Sequence, residues 1–402
     1  MSVTRRHVLN FTAAAGAIAA AQGRILGAQQ VPWQQQGPGP AQVTTPLPGT
    51  QWDPRMGTAD AEKYFRYSTR RAKVSLIHGE NRRKNIYEAL LAIDEQIRPG
   101  LKTKKYVLIK PNGINPGRAL VSTHQDAVHG ILDYLAPRFK GPVLIAEGGN
   151  NTAKEAVSEF GWAEVMAEHK PMDIKFEVPN EDTRHEIFNG IDYDLHLIPI
   201  RLAARFLDPD AFLMCSSVMK THNMIVATLS IKNVILGAAL SPPPGSNRPR
   251  SESDKRKFHV GIRQANYNLF LGFQRMMANW GVGIIDGFEG MEGNGPASGT
   301  PVPHRIALAS TDFLAVDRVG VECMGIDAGW LGYLNYSYQA GLGQYDLAKI
   351  DVVGAKIAEV QRKYRLHADV DRMLEWRGPM LDLPPNLGRR RSPLEEDLSQ
   401  YA

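Results

Sequence analysis

Residues 106–113 read Tyr-Val-Leu-Ile-Lys-Pro-Asn-Gly, and residues 143–149 read Val-Leu-Ile-Ala-Glu-Gly-Gly. Each is a short apolar run that stops at polar and turn-forming residues, as a strand buried on both faces does. Between them Thr123 is the expected N-cap of a helix that carries Val128, Ile131, Leu132 and Leu135 on one face. Strand, helix, strand is the repeating unit of a mainly parallel sheet with helical crossovers.

The same texture extends both ways. Lys73–His78 reads as a strand and Asn85–Ile97 as a helix with Ile86, Leu90, Ile93 and Ile97 on one side. Residues 173–200 alternate, and Asn189-Gly190 is placed as the turn of a hairpin. Ala211–Cys215 is a buried strand, and residues 241–258 form a polar, Pro-containing loop or flap. A helix over Ile262–Trp280, a strand at Val282–Ile285 and a Gly-rich loop at 287–299 follow. Arg305–Ala309 is then a strand and Asp312–Met324 a helix. The expected fold is α/β: a mixed, mainly parallel sheet flanked by helices, with hairpin and loop insertions. It occupies one core over residues 73–365, followed by an extension at 366–402.

The chain has 402 residues, 43% hydrophobic and 22% charged, which excludes wholesale disorder and a multi-span membrane protein. Thr4-Arg5-Arg6-His7-Val8-Leu9-Asn10 fits the twin-arginine export pattern, and Ala-rich residues follow with no acidic residue before position 29. Residues 1–28 are therefore expected to be a signal peptide, cut within 21–28 and read by the twin-arginine export machinery. The destination is the periplasm or another extracytoplasmic space. Residues 29–72, rich in Gln, Pro and Gly at their start, read as a linker and N-terminal arm.

A signal ending at Ala28 takes Arg5, Arg6 and Arg24 with it, so the net charge falls from +5 to +2, with 44 basic and 42 acidic residues remaining. That balance points to no nucleic-acid partner and no stable membrane insertion. Two cysteines exclude a four-cysteine iron–sulfur or zinc site. Cys215 and Cys323 sit in apolar runs and read as buried thiols; a disulfide between them is the alternative in an oxidising compartment.

Four polar segments follow the buried runs, at the strand ends where α/β sheets bind ligands. They are Lys110-Pro-Asn112-Gly113 with Ser122-Thr123-His124 nearby; Glu147-Gly-Gly-Asn150; Ser216 to His222, continuing to Lys232-Asn233; and Asp286 to Pro296. Lys232 stands in VATLSIKNVILGAAL, apolar nearly all round. It reads either as an anion-binding or acid/base lysine, or as a snorkelling side chain at a helix edge. Asp286, Glu289 and Glu292 among glycines, with His124 or His222, are candidate ligands of a divalent metal; the alternative is loop-capping carboxylates. Ser217-Val-Met-Lys220 matches S-x-x-K, yet it follows a strand and no K-T-G accompanies it.

Taken together these segments resemble the bacterial and archaeal family called domain of unknown function 362. The resemblance rests on Ile109-Lys110-Pro111-Asn112, Thr123-His124, Lys220-Thr221-His222, Thr228 to Asn233, and Met291-Glu292-Gly293-Asn294-Gly295-Pro296 with Gly299. It continues through Asp312 to Asp317 and Ile350 to Gly354. The family's name assigns no activity. Many members carry ferredoxin-type clusters on an attached segment, which implies redox or cofactor-related work; two distant cysteines cannot supply such a cluster, so none is expected here.

The leading expectation is an enzyme for a small anionic substrate, with a divalent metal assisting. Lys110, Asn112, Lys220, Asn233 and Asn294 bind the ligand, while His124, His222 and Lys232 are the catalytic candidates. Asp317 is expected to be structural, as a cap or ion-pair partner. The alternative function is a non-catalytic protein that binds or delivers an anion, metal complex or cofactor.

Overall fold

The computed structural model describes residues 68–378, apart from 114–116, 149–152, 183, 244–246 and 248–251. The expected signal peptide, nearly all of the linker, Asn150 and most of the C-terminal extension lie outside the described residues. The first half runs β1 Ala72–His78, α1 Arg82–Leu91, α2 Asp94–Thr103, β2 Tyr106–Lys110, α3 Gln125–Leu135, β3 Val143–Ala146, α4 Ala153–Glu159, α5 Trp162–Glu168 and β4 Ile174–Glu177. Next come β5 His185–Ile191, β6 Leu197–Ala203, β7 Ala211–His222, β8 Val226–Thr228, α6 Ser230–Ala238 and α7 Ile262–Met276. The last part is β9 Trp280–Asn294, β10 Ser298–Val302, β11 Ile306–Ser310, α8 Phe313–Cys323, α9 Gly332–Gln339 and β12 Ile350–Gly354.

The main sheet has ten strands, with the order β12-β1-β11-β9-β7-β2-β3-β4 and β8 and β10 attached to β7 and β9. Pairings β1–β12, β2–β3, β3–β4, β2–β7 and β7–β9 are parallel, while β11 runs antiparallel to both β1 and β9. The fold is the expected mixed α/β class. Strand alternation sends Val107, Ile109, Phe212 and Met214 into one apolar layer, with Ile86, Ile131 and Trp162 from the early helices. Leu108, Leu213 and Cys215 enter the other, with Ile235, Leu269 and Val316 from α6, α7 and α8. Helices therefore cover both faces, and every residue of β7 is buried.

From β2 the chain steps outward to β3 and β4, then returns to lay β7 on the other side of β2 and continues to β9. The direction of winding reverses between β2 and β7, and such a reversal opens a crevice at the strand C-termini. Lys110 ends β2, and Lys220 and His222 lie in the last turn of the pleat of β7.

Several local expectations are corrected. The helix expected over 85–97 is two helices that break at Ala92–Ile93. Asn189-Gly190 lies inside β5, and the hairpin turns at 192–196, where Asp192 Oδ1 accepts from the Asp194 and His196 amides. The Asx turn supplies the reversal that the Asn-Gly pair was expected to make. The polar run 216–222 continues β7, and the Gly-rich segment 287–299 is the end of β9 and a hairpin to β10. Strand partners satisfy the backbone in both, so polar side chains do not end the ladder. Cys215 and Cys323 are free, buried thiols.

Candidate functional site

Lys110 crosses from the end of β2 to α6. Its Nζ lies 2.8 Å from Glu147 Oε2 and 3.4 Å from Asn233 Oδ1, and it also donates to the Pro111 carbonyl. Gly237 makes room: a Cβ there would come within 1.9 Å of Lys110 Cε. Glu147 Oε2 also accepts from the Gly113 amide at 2.8 Å. Burial pushes the Glu147 carboxyl up, but Lys110 and Lys255, with the hydrogen bonds from Lys110 and Gly113, outweigh it and hold it below the usual carboxylate range.

Thr123 ties the crevice floor together. Its Oγ1 accepts from the Asn112 amide at 2.8 Å and donates to the Ser216 carbonyl at 2.9 Å. Asn233 Nδ2 donates to the same carbonyl at 3.3 Å. Around this floor Asn112 has neither side-chain polar atom hydrogen-bonded, and the hydroxyls of Ser122, Ser216 and Thr228 are likewise buried without partners. Unpartnered buried polar groups are costly and uncommon, so a cluster of them marks a place built for something else.

Lys220 Nζ reaches the Val121 carbonyl at 2.8 Å and has no carboxylate within ion-pair distance among the described residues. Burial lowers it to about 7, with Glu147 opposing and Lys110 adding to the effect. Lys255, in the flap, is lowered to about 7 by the protein packed around it, again with Glu147 opposing and Lys110 adding. Lys232 is 7% exposed and is driven well below the ordinary lysine range by burial, with Lys220 and Lys255 contributing.

Lys232 meets His222 at the end of β7. Lys232 Nζ is 2.9 Å from His222 Nε2, while the Met224 amide donates to His222 Nδ1 at 3.1 Å. Burial, followed by the charges of Lys232, His259, Lys220 and His367, pushes the imidazole well below its ordinary range. The His259 ring lies 5.9 Å from that of His222. His259 and Lys255 both line a cleft of about 780 Å³ bounded by Ile198, Arg201, Asp254 and Lys257.

The structure thus brings together Lys110, Asn112, Lys220, His222, Lys232 and Asn233, and it adds Glu147, Ser216, Lys255 and His259. Glu147 and Ser216 were legible as residues following strands. Lys255 and His259 carried no signal, because a charge run such as Asp254-Lys-Arg-Lys257 reads as a solvated face.

The remaining candidates stand elsewhere. His124, not Thr123, caps α3, with Nδ1 accepting from the Asp126 amide. Burial and then Arg82 lower it, while Asp126, Asp286 and Glu289 oppose. Asp286 pairs with Arg82 at 3.3 Å, Glu289 is exposed, and Glu292 accepts from the Arg365 amide at 2.9 Å. Asn294 accepts from the Ala368 amide. Among the described residues no three His, Cys, Asp or Glu side chains are placed to hold a metal ion. Asp286 and Glu292 are instead engaged by separate partners, Arg82 and the Arg365 amide. Asp317 accepts from the Ser230 and Ile231 amides at 2.8 and 3.0 Å and caps α6 from α8.

The sequence matches the family model "Domain of unknown function (DUF362)" over residues 107–322, from β2 to α8. No curated protein matches. Among solved structures the chain is similar to a protein from Thermotoga maritima, with 13% identity and a TM-score of 0.34. The match covers 56% of this chain and 55% of that one, so the chain spans about half the length of that relative. The matched stretch begins in β2 and ends in α8, so it contains the strands that build the amine-lined crevice, and the chain belongs to the domain of unknown function 362 family.

Proposed function

We propose that this chain is an exported enzyme that acts on a small anionic substrate at the β2–β7 crevice. One observation carries the reading. Lys220 and Lys232 are buried with no carboxylate within ion-pair distance among the described residues, and Asn112, two residues past Lys110, buries an amide with both polar atoms unanswered. Amines are expensive to bury without a counter-charge, and a bound dianion supplies the missing charge and hydrogen-bond partners. Lys220 and Lys255 would hold the anion, Asn112 and Ser216 would orient it, and Lys232 with His222 would handle protons at the reacting atoms.

The export part rests on Thr4–Asn10 and the acid-free stretch that follows. Replacing Arg5 and Arg6 with Lys should leave the precursor in the cytoplasm, and N-terminal sequencing of exported protein should begin between residues 22 and 29.

Thermal unfolding of the mature chain with sulfate, against chloride at matched ionic strength, tests the site. A saturable rise in Tm that is lost in Lys220→Met supports it; equal shifts with both salts would sink it. The second reading, a non-catalytic anion binder or cofactor-delivery protein, is separated by His222→Ala once a substrate is found. An enzyme loses turnover and keeps sulfate binding, whereas a binder shows only a change in affinity.

A further inference from the structure

The hydrogen bonds of His222 fix more than its orientation. The Met224 N–H points at Nδ1, so Nδ1 is a lone-pair acceptor and carries no proton. A neutral imidazole must then carry its proton on Nε2, and that N–H faces Lys232 Nζ at 2.9 Å. An ammonium has three donors and no lone pair, so two donors would face each other. The contact is a hydrogen bond only when Nζ is an uncharged amine whose lone pair accepts from Nε2–H. An imidazolium is excluded by the same geometry, since Nδ1–H would meet the Met224 N–H. Among the described residues no carboxylate lies within ion-pair distance to restore the charge on Lys232.

We propose that Lys232 is a nucleophilic amine that forms an imine with the carbonyl of a small anionic aldehyde or ketone, such as a 2-oxo acid. This deepens the anion-site reading and rests on it: the surrounding amines hold the acid group while Lys232 meets the carbonyl. Lys232 is the more accessible of the deeply buried lysines, at 7% against 1% for Lys110 and Lys220. It stands beside His222, whose ring neighbours the cleft residue His259.

The step balances without an oxidant or reductant. The Nζ lone pair forms a bond to the carbonyl carbon as the C=O π pair moves to oxygen. The nitrogen then gives both its protons to that oxygen, the C–O bond breaks, water leaves, and C=N replaces C=O. As the lone pair is used, His222 Nε2–H loses its acceptor and becomes free to donate to the departing oxygen. His222 is thus a positioning residue and hydrogen-bond donor, and the basic atom of the pair is on Lys232.

The test treats mature protein with glyoxylate and cyanoborohydride at pH 7, followed by peptide mass mapping. Surface lysines are almost fully protonated there and react slowly. The expected result is reductive alkylation at Lys232 at least tenfold above any other lysine, suppressed by excess sulfate and absent in Lys232→Met. In His222→Phe the pH of half-maximal labelling at Lys232 should move upward, because a hydrogen bond donated to the neutral amine has been lost. Label spread evenly over surface lysines, or concentrated at Lys220 or Lys255, overturns the proposal. If Lys232 stays unlabelled while sulfate still binds, the imine falls and the anion site stands. If sulfate does not bind either, both fall.

Discussion

Lys110 Nζ lies 2.8 Å from Glu147 Oε2, and the two side chains are 1% and 0% exposed. Attraction inside a protein offsets the loss of hydration only when both partners are present, and removing one leaves a buried charge. Glu147→Gln should therefore destabilise the fold by about 3–5 kcal/mol in urea unfolding, and Lys110→Met with Glu147→Gln by clearly less. The Glu147 carboxyl is held below the usual range, so its contribution is complete above the ordinary carboxylate pKa and is lost as pH falls through the folded value. Acid unfolding of wild type should lose this term, and that of the double variant should not show it.

Lys220 titrates the other way from most stabilising lysines. Its folded pKa of about 7 lies below the ordinary value, so between pH 7 and about 10 the unfolded chain binds a proton that the native one does not. Stability without ligand should rise with pH across that window, by up to about 1.4 kcal/mol per pH unit for this one proton. Lys220→Met should flatten the rise. A wild-type curve that falls over the same range, with no difference in Lys220→Met, would contradict the assignment.

Sulfate does not itself titrate in the neutral range, which makes it a clean probe of the amines around the crevice. Lys220 and Lys255 are both charged below about 7 and uncharged above it. Affinity should therefore weaken from pH 6 to pH 8 by roughly tenfold for each lysine whose charge the anion needs. Near pH 7.5 binding should take up protons, visible as a dependence of the calorimetric heat on buffer ionisation enthalpy.

Asp317 holds the N-terminus of α6 from a neighbouring helix, receiving the Ser230 and Ile231 amides and the Ser230 hydroxyl. Asp317→Ala should cost about 2–4 kcal/mol, a lost cap plus buried amides without acceptors. Burial raises the carboxyl to about 7 against the pull of those hydrogen bonds. Between the ordinary carboxylate pKa and 7 the native state keeps a proton that the unfolded chain releases, so this group costs stability as pH rises. Asp317→Asn should remove that slope in pH-dependent thermal unfolding.

The failures of local reading share a cause. Asn189-Gly190 has the composition of a turn and sits in a strand because Asp192 makes the reversal five residues before Leu197. Gly287 and Gly290 read as loop, yet β11 and β10 pair with that stretch and satisfy its backbone. Pairing partners distant in sequence decide such cases, and composition does not see them. Asp317 was legible as a structural residue, whereas its target, the amides of Ser230 and Ile231, was not.

By itself the sequence determined the α/β class, most strand cores, the family and the odd placement of Lys232. Hydrophobic period and turn residues are local properties, so they can be read along the chain. Only the tertiary structure decided which polar residues meet. It set β2 beside β7, gathered Lys110, Lys220 and Lys255 near Glu147, set Lys232 against His222, and sent Asp286 and Glu292 to other partners. It alone placed the Met224 amide on His222 Nδ1, which leaves Lys232 as the free amine. Protonation depends on neighbours in space, and strand order is what supplies those neighbours.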